Sequence, residues 1–518
     1  MKRRDFVKNV SLASLTAPFM LNGLKIQTVA KELFSTSKSA ENKVLVIIRL
    51  SGGNDGLNTV IPLDQYANLT IQRPNIILPQ NAILNLNSSV GLHPSMTGMK
   101  NMFNDGKLSI VQNVGYPEQN RSHFRSMDIW NTGLMDINAT SGWLGRNFDI
   151  DYPNFPTDYP NSTYQDPFAI SMGYQVAANC QGLMGNFSHT VDNPLDTYSL
   201  SQSNVTNDGT YFGSHMEFLT TIIGQTNAYG SQVHDATLAG NSLSALYDAN
   251  NPLAVQLRNV AKMISGGLMT KVYILNIDGF DTHDSQVKST DVKTGKHADL
   301  LKQLSDAIYA FQDDLKLLGL EQRVAGMTYS EFGRQIASNA SLGTDHGDAA
   351  PLFLFGSCIN STIIGSNPIV GNQIKDQEGI PMQIDFRNVY ASILKDWFEV
   401  DTVQIQSLFE HQVTYYNLLS GCTVGLDENQ LDENRAMVFP NPASTSTTLK
   451  FTSSSEWVNI AIIDFNGKVI ETVVDRTLDA NNHLLPIDLD RLQIGEYFIS
   501  IRKKSGDATL KLIKVKSL

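Results

Sequence analysis

The sequence predicts an α/β domain, built on a mainly parallel sheet flanked by helices, followed by a small all-β sandwich. Three observations predict this: continuous apolar runs alternate with helical patterns, short alternating runs fill the C-terminal part, and a polar, acidic stretch separates the two. The 518 residues also exceed the usual length of one domain several-fold. We expect the α/β domain over residues 41–425, a linker over 426–436 and the sandwich over 437–518.

Five apolar runs predict strands that are buried on both faces, as in a parallel sheet covered by helices. The runs are Val44–Leu50, Leu108–Val114, Val272–Ile277, Val324–Tyr329 and Pro351–Phe355. Between the third and fourth runs, apolar residues recur three and four positions apart from Leu300 to Leu318, which predicts a helix. A further helix is predicted over Val389–Phe398. Residues 150–250, rich in Asn, Ser, Thr, Gly and Tyr, predict mainly loops and insertions.

The N-terminus predicts an export signal over residues 1–30. Lys2, Arg3 and Arg4 form a basic start, and the mildly apolar run from Val10 to Leu21 is too short to span a bilayer. The adjacent arginines resemble a twin-arginine signal, which makes the twin-arginine export machinery an expected partner. An ordinary amphipathic first helix is the alternative.

Composition and charge exclude several classes of protein. With 42% hydrophobic and 17% charged residues, the chain is too apolar for intrinsic disorder, and its formal net charge of −12 argues against nucleic-acid binding. No apolar stretch reaches the ~18 residues of a transmembrane helix. Residues 41–436 carry 40 acidic and 22 basic residues, which fits a solvated face or a site that holds cations. Three scattered cysteines exclude a disulfide scaffold and a zinc ribbon; isolated buried thiols are the usual arrangement, and one disulfide is possible in an exported protein.

Polar side chains stand at the ends of the predicted strands, where a parallel sheet collects its ligands. They are Asp55 after the first strand, Arg121, Ser122 and His123 after the second, Asp281 and His283 after the third, Glu331 and Arg334 after the fourth, and Asp345 and His346 before the fifth. Asp with His suits zinc, whereas carboxylates with water suit magnesium, calcium or manganese. Each residue alone also fits a turn or a helix cap, but their coincidence favours a site for divalent metal ions.

Residues 43–400 resemble the domain-of-unknown-function 1501 family, within the alkaline phosphatase and sulfatase superfamily. The motifs that carry the resemblance are Arg49–Asn58, Gly115–Pro117, Arg121–Trp130, Gly279–His283, Ser330–Arg334 and Gly343–Gly347. The resemblance implies an alkaline phosphatase-like fold with a two-metal site that transfers phosphoryl or sulfuryl groups. It implies metal ligation by Asp55, Asp281, His283, Asp345 and His346, with Ser122 as the nucleophile. No residue clearly matches the superfamily's last metal histidine, for which His411 and His123 are candidates.

Substrate contacts are expected beside these metal ligands. Arg121 and Arg334 are candidates because a guanidinium pairs bidentately with a tetrahedral oxyanion, and His123 is the third candidate. Two cations would stabilise both the attacking and the leaving oxygen of an in-line displacement.

The pattern of the C-terminal region predicts a β-sandwich of short strands. The predicted strands are Thr447–Phe451, Val458–Asp464, Val469–Val474, Tyr497–Arg502 and Leu510–Val515, with Asn466-Gly467 as a hairpin turn. The module resembles the type A C-terminal sorting domain of the type IX secretion system, through Pro440–Pro442, Ile463–Lys468, Leu492–Tyr497 and Lys511–Lys516. This implies the type IX machinery as a partner, and secretion or attachment to the outer surface of a Gram-negative cell. An adhesion or carbohydrate-binding sandwich is the alternative.

These features predict an exported, metal-dependent hydrolase of phosphate or sulfate esters, with an anionic ester as substrate. A cell-surface binding protein that retains the fold without catalysis is the main alternative. A metal-free serine esterase using Ser122, His283 and Asp281 is a weaker one, because an acid so close to its His in sequence seldom orients it from behind.

Overall fold

The computed structural model describes most of the chain. It covers residues 20–21, 24–25, 42–196, 200–201, 208–419, 437–439, 443–464, 468–504 and 508–515. Contacts divide the chain into two compact units, residues 1–424 and 425–518. The predicted signal over 1–30 lies outside the described residues except for the paired strands Met20–Leu21 and Leu24–Lys25, and the predicted linker over 426–436 lies outside them entirely. None of the described helices is both long and apolar enough to cross a membrane.

A nine-stranded sheet forms the centre of the first unit. From edge to edge its strands are Ile363–Ile364, Leu108–Gly115, Ala350–Phe355, Val324–Tyr329, Val44–Ser51, Val272–Asp278, Ala169–Met172 and Ser188–Val191, with Ile384–Asp385 also paired to Leu108–Gly115. Every pairing is parallel except the two made by Ala350–Phe355. The predicted α/β class with a mainly parallel sheet is confirmed, and all five predicted strands belong to this sheet.

The central strand shows why its sequence is apolar at nearly every position. Val46 and Ile48 pack into the core on one face of the sheet, while Leu45 and Ile47 pack into the core on the other. All four side chains are at most 1% exposed. A strand buried on both faces needs apolar residues in both alternating sets, which a one-sided sheet does not.

Helices cover both faces of the sheet and supply the rest of the two cores. They are Gly56–Thr59, Tyr66–Gln72, Thr97–Asn104, His123–Thr132, Trp143–Asp151, Tyr211–Ala239, Pro252–Ser265, Lys296–Leu317, Phe386–Asp396 and Thr402–Leu408. Short 3₁₀ turns lie at Leu63–Gln65, Gln80–Ala82 and Ala178–Cys180, and a small antiparallel sheet joins Val60–Pro62, Val90–Leu92 and Leu84–Asn85. The two helices predicted from apolar spacing are confirmed as Lys296–Leu317 and Phe386–Asp396.

The region expected to be mainly loops contains more regular structure than its composition indicates. Ala169–Met172 and Ser188–Val191 extend the sheet, and Tyr211–Ala239 is a helix of 29 residues. The helix contains several Thr and Gly residues, which have low helix propensity, so its composition does not indicate a helix. Tertiary burial of Tyr229 and Val233, together with capping by Thr210, stabilises it instead.

The cysteines also differ from the usual expectation of isolated thiols. Cys358 is disulfide-bonded, whereas Cys180 is a free thiol buried in the core. Burial raises the pKa of the Cys180 thiol, so it stays protonated and unreactive.

The second unit consists of two antiparallel sheets around one core. The first sheet contains Met437–Phe439, Ser446–Ser453 and Asn481–Asp488, and the second contains Val469–Leu478, Glu456–Ile463, Gly495–Lys503 and Ala508–Lys514. Leu449, Ile460 and Ile499 are fully buried between them. The predicted all-β module is confirmed. The pairing of Glu456–Ile463 with Val469–Leu478 is antiparallel, as the predicted hairpin requires, although Asn466-Gly467 lies outside the described residues.

Candidate metal centre

One buried arginine holds together the loops at the carboxyl edge of the sheet. The guanidinium of Arg334 donates hydrogen bonds to the backbone oxygens of Gly52, Gly53, Phe280 and Thr344 and to Asp281 Oδ1, the last at 2.7 Å. Its side chain is 0% exposed. This differs from its predicted contact with a substrate: the five donated bonds all serve the protein, and Arg334 acts by fixing the loops and orienting Asp281.

The glycines after the first strand make this convergence possible. Gly52 has a φ of +119°, and a Cβ there would collide with the backbone of Phe280 and Asp281. Only glycine allows the loop after the first strand to approach the loop after the third so closely. The loop before Ala350–Phe355 reaches the same edge because that strand runs antiparallel to its neighbours.

Two histidines and one carboxylate meet at this edge. His283 Nε2 lies 2.9 Å from His346 Nε2 and 3.1 Å from Asp281 Oδ1, and His346 Nε2 lies 3.2 Å from the same oxygen. Their side chains are 23–47% exposed, so a small molecule can reach them. The structure thus brings together three of the five residues predicted to bind metal.

The hydrogen bonds made by Nδ1 of each ring determine the tautomer, and hence whether Nε2 carries a proton or a lone pair. His346 Nδ1 lies 2.9 Å from the backbone oxygen of Arg121, which can only accept, so Nδ1 carries the proton. His283 Nδ1 lies 2.8 Å from Asp345 Oδ1, which gives the same tautomer. In the neutral rings both Nε2 atoms therefore carry lone pairs that face each other and the Asp281 carboxylate. Three acceptors so close together need a positive partner between them, which is either a proton on one of the Nε2 atoms or a metal ion.

His123 joins this group from the first position of a helix. Its Nε2 lies 3.6 Å from Asp281 Oδ2, and His123, Asp281 and His346 offer ligand atoms that all lie within 4.8 Å of one another. Its Nδ1 lies 2.9 Å from Glu331 Oε1, and this hydrogen bond raises the pKa of the His123 imidazole. Phe332 packs against the rings of His123 and His346 with centroid distances of 4.9 and 4.6 Å, which restrains both rings.

Asp345 does not face the cluster directly. Its Oδ1 accepts from His283 Nδ1 and, at 3.3 Å, from Asn339 Nδ2, which places it across the imidazole ring from Asp281. Burial alone would raise the pKa of the Asp345 carboxyl, but the bonds from His283 and Asn339 lower it overall. A carboxylate behind a ligating imidazole fixes its tautomer and increases its basicity. The structure thus gives Asp345 an orienting position, whereas the sequence predicted a direct ligand.

Asp55 differs most from its predicted role as a metal ligand. Arg73 Nη1 donates to both of its carboxylate oxygens at 2.8 and 2.7 Å, and Gln286 Nε2 donates to Oδ2 at 2.6 Å. Asp55 and Arg73 are 1% and 0% exposed. Burial alone would raise the pKa of the Asp55 carboxyl, but the Arg73 charge and hydrogen bond lower it overall. Its oxygens are thus already occupied inside the protein.

Arg121 and Ser122 lie beside the cluster in different ways. The guanidinium of Arg121 forms a bidentate pair with Asp348, with both bonds at 2.8 Å, so its predicted contact with an oxyanion would have to displace that carboxylate. Ser122 is exposed and precedes the helix His123–Thr132 as its N-cap residue, yet its side chain makes no capping hydrogen bond. His411, the other histidine considered for a metal, instead bonds Asn388 Oδ1 at 2.9 Å.

The donor set fits a divalent metal ion. Bonds of about 2.0–2.2 Å to zinc allow two ligand atoms to lie up to about 4.4 Å apart, and the separations among His283, His346 and Asp281 fall within this limit. Asp281, Asp345 and Glu331 carry three formal negative charges, against one positive charge on Arg334 and a second on His123 when its imidazole is protonated, so the site keeps a negative excess in either state. Within the described part of the chain, the one group of three metal-ligating side chains whose ligand atoms all lie within 4.8 Å is His123, Asp281 and His346, which shares Asp281 and His346 with this set.

Comparison with known proteins finds one family match in each of the two units. Residues 260–409 match the family model described as protein of unknown function DUF1501, and residues 437–516 match the model of a secretion system C-terminal sorting domain. The resemblance to the DUF1501 family, expected over residues 43–400, is therefore confirmed for residues 260–409, and the resemblance to the sorting domain for residues 437–516. The DUF1501 match contains the motifs that supply Asp281, His283, Glu331, Arg334, Asp345 and His346. The type IX sorting domain indicates export to the cell surface or secretion. No curated protein matches the chain.

Several solved structures show a weak overall similarity. A protein in the alkaline phosphatase superfamily from Vibrio parahaemolyticus is 10% identical, with 85% of this chain and 82% of that one covered at a TM-score of 0.33. The PsFucS1 sulfatase from Pseudoalteromonas sp. is 9% identical, with coverages of 86% and 84% and a TM-score of 0.32. The phosphonate monoester hydrolase SpPMH from Silicibacter pomeroyi is 8% identical, with coverages of 91% and 89% and a TM-score of 0.31. Similarity of this size carries no argument about the reaction.

Proposed function

We propose that the protein is an exported, single-metal hydrolase of phosphate or sulfate monoesters. His283, His346 and Asp281 would hold one divalent ion, and its fourth position would be open to substrate or water. Two imidazoles beside one carboxylate favour zinc over magnesium or calcium, which prefer all-oxygen ligands. The observation that carries the proposal is the convergence of two imidazole Nε2 atoms and Asp281 Oδ1 within 2.9–3.2 Å, with both Nδ1 atoms bonded elsewhere.

Such an ion would supply Lewis-acid polarisation of the ester and lower the pKa of a bound hydroxyl or water. The protein's own groups would complete the site. The helix His123–Thr132 begins at the cluster, so its first backbone N–H groups are available to an anionic group. His123 has a raised pKa, and as an imidazolium it can pair with the ester anion and donate a proton to the leaving oxygen.

Ser122 is the proposed nucleophile. It immediately precedes His123, it is exposed, and its hydroxyl is not used to cap its own helix. A serine hydroxyl is weakly nucleophilic until a base or a metal activates it, and with His123 protonated the ion would supply that activation by lowering the pKa of the hydroxyl. If Ser122 is not the attacking group, a metal-activated water would be the nucleophile. Turnover of the Ser122→Ala variant distinguishes the two cases.

Metal content and turnover of the purified protein test this proposal. We expect about one zinc per chain by elemental analysis, and metal-dependent hydrolysis of p-nitrophenyl phosphate or p-nitrophenyl sulfate. Asp281→Asn should lose metal and turnover together, because a neutral amide is a far poorer ligand. Ser122→Ala should lose turnover and keep the metal. Asp284→Asn is the matched control, since Asp284 lies on the same loop but pairs with Lys296 at the surface.

The outcomes separate the alternatives. A protein purified without metal that cannot be loaded with zinc contradicts the proposal. Stoichiometric zinc without turnover on either ester class favours the fold-retaining binding protein. Hydrolysis that persists after complete chelation would instead favour the metal-free serine esterase. Ser122→Ala with unchanged turnover would assign the attack to a metal-activated water.

A further inference from the structure

The long helix Tyr211–Ala239 carries an apolar stripe that is buried along only part of its length. In its second half, Tyr229 and Val233 lie four positions apart and are 6% and 2% exposed, and Val233 belongs to the core on one face of the sheet. In its first half, Tyr211 and Phe218 continue the same helical face, because they precede Tyr229 by 18 and 11 residues, about five and three helical turns. These two side chains are 83% and 42% exposed. The stripe thus extends beyond the part of the first unit that covers it.

A second row of apolar side chains is exposed beside this stripe. Phe212 is 71% exposed, and Leu219, two turns further along, is 51% exposed. Ile222 and Ile223 follow one turn later and are half-buried. Both rows together form an overhanging face over residues 211–223 that is apolar across a wide arc of the helix.

The exposed apolar area of this overhanging face fits that of a subunit interface. An aromatic side chain offers about 150–250 Å², so the exposed fractions of Tyr211, Phe212 and Phe218 amount to about 400 Å². This matches the largest apolar patch on a typical monomer, about 300–600 Å², which is often a binding surface. Two such faces in contact would bury about 800 Å² of aromatic surface, and Leu219 with the two isoleucines brings the total near the ~1,000 Å² of a specific interface.

The charge of the face indicates what can bind it. Between Gly209 and His234 the one charged residue is Glu217, with His counted as neutral, whereas the whole chain has a formal net charge of −12. Two copies of so acidic a chain repel each other unless they meet where there is little charge. The helix Tyr211–Ala239 also contains no Lys or Arg, which a helix lying on an anionic membrane surface typically carries on its polar side. A second copy therefore fits this face better than a charged partner or an anionic membrane does.

The first half of the helix also needs the packing that a partner would supply. Its start is capped by Thr210, and Gln225 near its middle donates to the backbone oxygens of Pro156 and Tyr159, both at 2.8 Å. Between these two anchors, Thr and Gly residues lower the helix propensity. Because a helix gains most of its stability from the packing of its apolar face, covering the overhanging face would stabilise this half.

We propose that two copies of this chain pair through the overhanging face as a symmetric dimer. A two-fold axis through the middle of the face makes the paired helices antiparallel, and each copy contributes the same surface. Tyr211 then lies opposite the partner's Ile223, and Phe212 opposite the partner's Ile222, so each ring packs against an aliphatic side chain. Antiparallel helices also place their dipoles favourably. None of the metal-centre side chains lies on this helix, so the inference does not depend on the proposed hydrolase.

Sedimentation equilibrium of the full chain tests this inference. We expect a species with twice the mass of one chain, which dissociates on dilution. Phe212→Ser and Leu219→Ser should each weaken dimerisation at least about tenfold, about 1.4 kcal/mol, because each substitution removes a side chain from both halves of the contact. Val403→Ser is the matched control and should dimerise as the wild type does, since Val403 is a 77% exposed apolar residue on the separate helix Thr402–Leu408.

Cysteine trapping tests the antiparallel arrangement. An equimolar mixture of Tyr211→Cys and Ile223→Cys chains should form a disulfide-linked dimer, because the two positions meet across the axis. Neither variant alone should form one, since Tyr211 and its own copy would lie about 18 Å apart along the helix axes, beyond the ~7 Å that a disulfide can span. Cross-linking of Tyr211→Cys chains with one another would indicate parallel helices and refute the arrangement.

Three results would overturn the dimer. One is a chain that remains monomeric at high micromolar concentration. Another is a monomer that binds phosphatidylcholine vesicles and loses this binding in Phe212→Ser and Leu219→Ser, which would assign the face to a membrane. The third is a dimer that both serine variants leave unchanged, or that Val403→Ser weakens equally, which would place the contact elsewhere. Asp281→Asn should dimerise as the wild type does, so failure of the proposed hydrolase leaves this inference standing.

Discussion

Replacing Asp55 by Asn distinguishes a buried ion pair from a metal ligand. The substitution keeps the shape of the side chain and removes its charge, leaving the guanidinium of Arg73 buried without its counter-ion. Arg73 also donates to the backbone oxygens of Ile336 and Gln335, both at 2.7 Å, so it cannot turn toward solvent without breaking these bonds. We therefore expect a loss of stability and an unchanged metal content.

The size of the loss follows from the burial of the pair. Asp55 and Arg73 are 1% and 0% exposed and in direct contact at 2.7 Å, so solvent screens neither charge. Removing one partner of such a pair typically costs about 3–5 kcal/mol, because the remaining charge is uncompensated. The double variant Asp55→Asn with Arg73→Met removes both charges and should recover part of the loss, with a coupling of about 1–3 kcal/mol.

Urea unfolding followed by tryptophan fluorescence measures this change. Trp130, Trp143 and Trp397 are buried in the first unit, whereas Trp457 of the second unit is 51% exposed, so the signal reports mainly on the first unit. The folded-state pKa of Asp55 is lowered, so its stabilisation is present above its unfolded pKa of about 3.9 and is lost as the pH falls further. The difference in the free energy of unfolding between wild type and Asp55→Asn should accordingly become smaller below about pH 4.

Two results would refute the ion-pair reasoning. One is an Asp55→Asn variant with wild-type unfolding behaviour and markedly less bound zinc, which would restore Asp55 to the metal site. The other is a double variant no more stable than the additive sum of the two single variants, which would show that the charges do not interact.

The remaining predictions concern export. Replacing Arg3 and Arg4 together by Lys should retain the protein in the cytoplasm, as measured by cell fractionation; unchanged secretion would contradict the twin-arginine assignment. Deleting residues 437–518 should leave a folded first unit in the periplasm, because each unit has its own core. Arrival of the truncated protein at the surface or in the medium would show that the sorting module is dispensable.

Much of the fold could be predicted because burial on both sheet faces leaves a clear pattern. Runs such as Val44–Leu50 have no polar position to obscure the strand, and the helix Lys296–Leu317 has regular apolar spacing. The sheet-edge strand Ser188–Val191 was missed, since it is polar and short. The helix Tyr211–Ala239 was missed because its residues are poor helix formers and its stability comes from packing that composition does not record.

The site could be predicted only to the level of which loops meet. Asp281, His283 and His346 lie together at the edge where their strand ends predict them, because strand order and direction decide where loops converge. The sequence does not show which carboxylate faces inward. Arg73 lies 18 residues beyond Asp55, directly after the helix Tyr66–Gln72 and away from any strand end, so nothing marks it as the partner of that carboxylate. Asp345 and His346 are neighbours in sequence, yet they face different partners. His346 directs its Nε2 at Asp281, whereas Asp345 bonds the Nδ1 of His283 on the far side of that ring.

The pairing of Asp55 with Arg73 also constrains the proposed chemistry. With that carboxylate occupied, the donor sets that the described residues offer at this edge share Asp281 and His346, so a second cation has no independent set of ligands there. In the proposed hydrolase, positive groups of the protein must therefore neutralise the negative charge of the ester that a second ion would otherwise neutralise. His123, with its raised pKa, and the first N–H groups of its helix are the positive groups beside Asp281 that remain available, since Arg334 and Arg121 are already paired. Substrate turnover should consequently depend on His123 more strongly than metal binding does.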